Sequence, residues 1–456
     1  MDKGEILQKL EKIVGKEFTT NRAEDLYIYS QDPGASEPRP VDYVVMPKEA
    51  EEIQEIIKLA NEEKIPVVPM GGGMTLSGLV IPVKGGIVID MKRMDRILEI
   101  DETNRYAFIE AGVTTGKLIS YLRENYPHLQ PPFPDAPTSV TIAGNALIHG
   151  SGSLSQKYGD HGAMINGLEV VLPNGEMCKT GSGAISEKWF TRGPIPDLTG
   201  IFISAFGTMG IITKISIKLY PKPKLRDGII GLSKDFDNIP KAILQIIATD
   251  LAEDTMVLFS DIPEFMKGYV LYLVYITGDT EDEIKSKTKL LKGIYRKNKI
   301  TRITPPQRLY KGFLEQPQFA GAPADFRKGG GFEYVGSFLP LENLPKAFEK
   351  ARVISNKYGL VPAAMGRLIG KGHAVMFASS ISFNRADPKD MEIARNALHE
   401  TNKIVLELGG IPWKSELDGQ KLIIEQMDPG YKKLLQTIRS TLDPNGIMNP
   451  GNWEVS

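Results

Sequence analysis

Between Glu49 and Glu63 the apolar residues Ile53, Ile56, Ile57 and Ala60 fall at i, i+3, i+4 and i+7, the spacing that gathers one face of an α-helix. Short apolar runs flank it, Tyr43–Met46 on one side and Ile65–Val68 on the other, so the stretch reads as a βαβ unit. Ile6, Leu10 and Ile13 predict a helix within Met1–Tyr29. Tyr106–Glu110, Leu168–Leu172 and Ile211–Leu219 read as strands, and Thr115–Asn125 reads as a helix. Pro221 and Pro223 end the last of these strands, and the boundary between two domains is placed there.

Beyond it the pattern β-α-β-β-α occurs twice. Strands near Gly228–Leu232, Met256–Ser260 and Tyr269–Ile276 go with helices near Ile239–Thr249 and Glu281–Arg296. Strands near Phe332–Phe338, Val361–Gly366 and Ala374–Phe383 go with helices near Leu344–Tyr358 and Pro388–Leu408. Antiparallel neighbours with helices on one face make an α+β cap. The tail predicts a helix over Tyr431–Ser440, stopped by the turn residues that follow Leu442.

Length and composition narrow the class. The 456 residues are enough for two or three domains. With 55 basic and 56 acidic residues there is no electrostatic footprint for nucleic acid. A single cysteine, Cys178, excludes an intramolecular disulfide framework and a Cys-rich metal site. Five scattered histidines give no metal signature, and none is expected. The charged, amphipathic N-terminus is unlike a signal peptide and no apolar run reaches the length of a membrane span, so a soluble, cytoplasmic protein is expected.

Candidate chemistry concentrates where the second strand of the βαβ unit runs into Pro69-Met70-Gly71-Gly72-Gly73-Met74-Thr75-Leu76-Ser77-Gly78. Consecutive glycines let backbone N–H groups converge on an anion, and a diphosphate is the natural candidate. A plain turn between strands is the bland alternative. The loop leads through Gly85-Gly86 into another strand rather than a helix, so it is not a Rossmann fingerprint. Further on, Gln130-Pro131-Pro132-Phe133-Pro134-Asp135 is a stiff loop, followed by the small residues of Thr141-Ile142-Ala143-Gly144-Asn145, Gly150 and Gly152.

With Glu110-Ala111-Gly112-Val113, Tyr158-Gly159-Asp160-His161, Gly167–Gly175, Gly207-Thr208-Met209-Gly210-Ile211-Ile212 and the terminal Asn449-Pro450-Gly451, these stretches resemble the vanillyl-alcohol oxidase / p-cresol methylhydroxylase flavoprotein family along nearly the whole chain. The resemblance implies an α+β chain. A two-subdomain PCMH-type FAD-binding domain spans residues 1–222, a cap with a large antiparallel sheet 223–425, and a C-terminal return 426–456. It implies an FAD-dependent dehydrogenase or oxidase that moves a hydride from a small phenolic or alcohol substrate to the flavin. Electrons would then leave to an external acceptor or redox partner protein, the chain acting alone, as a homo-oligomer or as a complex subunit. A glycolate- or D-lactate-type 2-hydroxy-acid dehydrogenase is the alternative. The hydroxy-acid branch shares the loop Thr75-Leu76-Ser77-Gly78, but its His-rich cap motif and its Glu-His pair are missing here, where Ser415-Glu416-Leu417-Asp418 stands.

Carried over residue by residue, the resemblance assigns FAD to Gly71, Gly72, Gly73, Met74, Thr75, Ser77, Gly78, Pro134, Thr141, Gly144, Asn145, Gly152, Tyr158, Ile211, Ile212 and Asn449. Asp135 takes the place of an active-site carboxylate, against the alternative of a turn aspartate. Lys414 would hold an anionic group of the substrate and Trp413 would wall its ring, against the alternative of a solvated lysine beside a core tryptophan. Arg367 is a further candidate. His373 raises a covalent tether to FAD, with an exposed strand-edge histidine as the alternative, and His161 is expected to order the flavin domain rather than to catalyse.

Overall fold

The computed structural model describes residues 2–262, 264–305, 310, 314 and 329–454. The helix expected across Met1–Tyr29 is two helices, Lys3–Val14 and Ala23–Tyr29. Gly15, at φ 100°, turns the chain out of the first, and the β-branched pair Thr19–Thr20 then joins a sheet antiparallel to Tyr43–Val45. In that sheet Tyr43–Val45 and Val67–Met70 lie parallel on either side of Ile87–Asp90. All four residues of the central strand are buried, which is why it reads as one apolar run rather than an alternation. The crossover helix, Ala50–Glu63, buries Ile53, Ile56, Ile57 and Ala60 as its spacing predicts.

A second sheet of five antiparallel strands runs in the order Met177–Lys179, Ile165–Val171, Ile211–Lys218, Tyr106–Glu110 and Ile97–Asp101. One core joins the two sheets: Ile53 and Val67 belong to the same buried cluster as Ile109, Ile165 and Ile215. Ile447 and Met448 of the C-terminal tail enter it too, with Val67 N–H donating to Ile447 O at 2.8 Å.

The cap is an eight-stranded antiparallel sheet. From one edge its strands are Thr301–Ile303, Leu225–Ser233, Val270–Gly278, Ala252–Ser260, Ala363–Ile369, Ala374–Asn384, Gly330–Leu339 and Ile411–Trp413. The two β-α-β-β-α blocks thus meet through their second strands, each block in the order first, third, second counted from the outside. The short edge strands Thr301–Ile303 and Ile411–Trp413 carry no sequence alternation long enough to announce them. Period-two alternation splits the sheet. Val257 and Phe259 pack with the helices Ile239–Ile247 and Leu344–Lys357, while Met256 and Leu258 belong to a separate cluster on the opposite face. That second face, with Met365, Met376, Tyr334 and Trp413, looks toward the glycine loop.

Candidate active site

The glycine loop lies flat against residues 139–141. A Cβ on Gly71 would sit 2.5 Å from Thr141 Oγ1, and one on Gly72 would sit 2.9 Å from Ser139 O, so neither position admits a side chain. Gly73 at φ 67° then reverses the backbone. Among the described residues the N–H groups of Gly72, Gly73, Met74 and Thr75 have no protein acceptor. Four unpaired donors in succession leave this stretch open to an acceptor from outside the chain.

These residues line a cavity of about 750 Å³ between the two smaller sheets and the inner face of the cap. Its floor includes Thr141, Gly144, Asn145 and Ile212, and its cap wall includes Leu258, Tyr334, Met365, Met376, Trp413 and Lys414. Four polar atoms on the lining are buried without a partner: Thr75 Oγ1, Asp135 Oδ1, Ser151 Oγ and Tyr334 Oη. Leaving such a group unpaired costs roughly 1–3 kcal/mol, so four together mark a surface built to receive a ligand. The volume, the unpaired donors and the orphaned atoms fit a flavin dinucleotide.

Asp135 stands at the junction of floor and wall. Its Oδ2 accepts from Arg367 Nη1, and its backbone N–H donates to Ser151 O at 3.1 Å. Arg367 is wholly buried on strand Ala363–Ile369, with Nη2 3.1 Å from Asp254 Oδ2 and 2.9 Å from Met256 Sδ. Burial pushes its guanidinium down to about 9, and Asp254, buried beside Glu253, is held well above the usual carboxylate range. One guanidinium therefore bridges a cap carboxylate and a cavity carboxylate, leaving Asp135 Oδ1 open.

Trp413 and Lys414 end the edge strand Ile411–Trp413. The Trp413 indole N–H donates to Ile148 O, and its ring fills the space above Gly336, where a Cβ would overlap it. Lys414 is buried, and its ammonium donates to Thr75 O at 2.9 Å, so the residue lines the cavity while its charge is tied to the glycine loop.

Of the residues expected on FAD, Gly71, Gly72, Gly73, Met74, Thr75, Thr141, Gly144, Asn145 and Ile212 line the cavity, and Ser77, Gly78, Pro134, Gly152, Tyr158, Ile211 and Asn449 do not. Ser77 and Gly78 turn away to meet Glu333 and Asp32. Pro134 and Gly152 pair across a two-stranded bridge behind Asp135. Ile211 is core, and Tyr158 stacks on Tyr220 at a ring separation of 4.1 Å. Asn449 acts from behind the wall, its Nδ2 donating to Leu79 O at 3.2 Å and Phe206 O at 2.6 Å, both on lining residues. His373 follows the turn at Gly370–Gly372, exposed and outside the lining. His161 is wholly buried with Nδ1 2.5 Å from Asn145 Oδ1, which orders a floor residue.

Asp32, Asp254, Glu333 and Tyr334 were not singled out by the sequence. Asp254 and Glu333 carry a signal, each a charge inside an apolar strand that ends up fully buried.

Comparison with known proteins matches residues 41–181 to the FAD binding domain family and residues 243–453 to the C-terminal domain of FAD linked oxidases. The chain is 26% identical to glycolate oxidase subunit GlcD of Bacillus subtilis over 98% of this chain and 96% of the relative. It is also 26% identical to the 4-cresol dehydrogenase (hydroxylating) flavoprotein subunit of Pseudomonas putida, over 88% and 85%. A solved structure of p-cresol methylhydroxylase with substrate bound superposes with a TM-score of 0.87 over 99% of this chain and 97% of that one, at 23% identity, a likeness of fold.

Proposed function

This chain belongs to the FAD linked oxidases, and from that premise we propose that it oxidises a small phenolic or alcohol substrate. The observation that carries the reading is Asp135 Oδ1, a buried oxygen without a donor, beside the glycine loop and below a wall of Tyr334, Trp413, Met365 and Met376. FAD, when bound, would supply the acceptor for the hydride, which carries both electrons. Asp135 takes the hydroxyl proton on Oδ1 while Arg367 holds Oδ2 and keeps the carboxylate oriented. Trp413 and Tyr334 wall the substrate and exclude water, and the Tyr334 hydroxyl is free to donate to a substrate oxygen. Lys414, anchored on Thr75 O, adds positive charge on the same side. The division into an FAD-binding domain of 1–222, a cap of 223–425 and a return of 426–456 is part of this proposal.

A 2-hydroxy-acid substrate is the second reading. It is favoured by the buried Lys414 cation on the cavity wall, which suits a carboxylate, and by the likeness to a glycolate oxidase subunit. Anaerobic titration separates the two: phenols and benzylic alcohols bleach the flavin absorbance on the first reading, and bleaching by 2-hydroxy acids alone overturns it. The electrons then pass to an external acceptor or a redox partner protein. Among the described residues no helix is long and apolar enough to cross a membrane.

A further inference from the structure

The end of the glycine loop is held as closely as its start is open. Asp32 Oδ2 accepts from Gly78 N–H at 2.8 Å, and Asp32 Oδ1 accepts from Gly34 N–H at 2.8 Å. Glu333, on the cap strand Gly330–Leu339, accepts from Ala35 N–H at 3.0 Å and faces the Ser77 hydroxyl at 3.4 Å. Lys414 reaches Thr75 O from the cap's edge strand. Three ionisable side chains, each at least nine-tenths buried, therefore grip Thr75, Ser77 and Gly78, where the run of unpaired donors ends. Phe332 N–H adds a backbone bond to Pro33 O at 3.0 Å, and a Cβ on Gly34 would overlap Leu76 O. Loop 32–36, the glycine loop and the cap interlock at this seam.

We propose that Asp32, Glu333 and Lys414 form a clamp joining the phosphate-binding loop to the cap, and that FAD binding is coupled through this clamp to uptake of a proton at Glu333. The proposal rests on FAD occupying the cavity with its diphosphate at Gly72–Thr75. Two carboxylates and one ammonium leave a net negative charge beside a loop that would receive the diphosphate of bound FAD. Burying that charge is costly, and protonating one carboxylate relieves it. Glu333 is the group poised to take the proton. Burial holds its carboxyl well above the usual range, Asp32 and Glu416 push the same way, and Lys414 and the Ala35 N–H oppose them. Both Asp32 oxygens already accept backbone N–H groups, from Gly34 and Gly78. Arg39 adds an attraction to Asp32, while Glu416 is occupied with Gly419 N–H and Asn402. The diphosphate adds negative charge across the loop, so Glu333 binds its proton more tightly with FAD present than without it.

The test is calorimetric titration of the full-length apoprotein with FAD in buffers of different ionisation enthalpy, across about pH 6 to 9. The expected result is fractional proton uptake per FAD that passes through a peak with pH and vanishes in Glu333→Gln, which keeps an oxygen for Ala35 N–H. Uptake that persists in Glu333→Gln, or none in the native chain, overturns the proposal. Failure of the native chain to bind FAD at all would instead overturn occupancy of the cavity. Should Glu333→Gln not fold, Ser77→Ala removes a donor to the carboxylate and should move the peak to higher pH, and an unmoved peak overturns the assignment. Lys414→Met frees Thr75 O and should speed FAD release by about tenfold, the cost of one charge-assisted hydrogen bond. An unchanged release rate overturns the clamp.

Discussion

Arg367 donates through Nη1 to Asp135 Oδ2 from a position with no solvent exposure, so the charge of the cavity carboxylate is fixed by a side chain of the cap. Its other terminal nitrogen faces Asp254, itself 1% exposed. Removing the guanidinium leaves the Asp135 carboxylate and the buried Asp254 carboxyl without their shared partner. Arg367→Met should cost about 3 kcal/mol or more in chemical denaturation, the range seen when one partner of a buried pair is deleted. Arg367→Lys keeps the charge without the planar fork and should fall between the two.

Asp135→Asn tests the open oxygen directly. The amide keeps the size of the carboxyl and the backbone bond to Ser151 O, so FAD affinity should change little. The rate of anaerobic flavin reduction by substrate should fall by roughly 10² to 10⁴, the usual contribution of a positioned base. A variant that reduces its flavin at the native rate would show that the proton leaves by another route.

How much of this was legible beforehand follows from range along the chain. The βαβ unit, the glycine loop and both cap blocks are written in local spacing, and each appears where Ile53–Ala60, Gly71–Gly73 or Met256–Ser260 places it. Arg367 and Asp135 were each picked out, yet their contact spans 232 residues and no periodicity reports it. Glu333 and Asp32 are further from reach. Asp32 looks like an ordinary loop acid until the cap closes over it, and Glu333, an acid inside an apolar strand, does not name its partners. Ser77 and Gly78 were assigned to the cofactor because the loop is continuous in sequence. The turn after Thr75 sends them to the opposite side of it.

His373 lies outside the cavity lining, at an exposed turn of the cap. A covalent bond from its ring to the flavin would require the hairpin between Ala363–Ile369 and Ala374–Asn384 to unpair, although the register continues to Ile369 and Ala374. Acid precipitation should therefore release the flavin into the supernatant. A yellow pellet would show a tether at another residue.

Tyr334→Phe separates binding of substrate from stability. The native hydroxyl is buried without a partner, so its removal should leave the melting temperature unchanged or slightly raised. If that hydroxyl donates to a substrate oxygen, KM should rise by about tenfold while the FAD affinity stays at its native value. An unaltered KM would place the substrate oxygen elsewhere, nearer Lys414.

His161 gives the fold a dependence on pH of known sign. Burial lowers its pKa from 6.5 to about 4, so the folded protein holds the ring neutral. An amide oxygen is its partner, which puts the proton on Nδ1 and leaves Nε2 a buried acceptor with no donor. Below pH 6.5 the unfolded chain binds this proton more readily than the folded one, and stability falls as pH drops through the window to about 4. The full shift corresponds to roughly 3 kcal/mol, present above that window and lost below it. His161→Gln keeps a donor for Asn145 Oδ1 but cannot titrate. Its unfolding free energy should be lower than native near neutrality and should fall less steeply between pH 6.5 and 4, the interval set by the two pKa values. Because Asn145 lines the cavity floor, the native chain should also lose flavin across the same window, and the variant should retain it further into acid. Parallel native and variant curves would mean that carboxylates, rather than this histidine, set the acid limit of the fold.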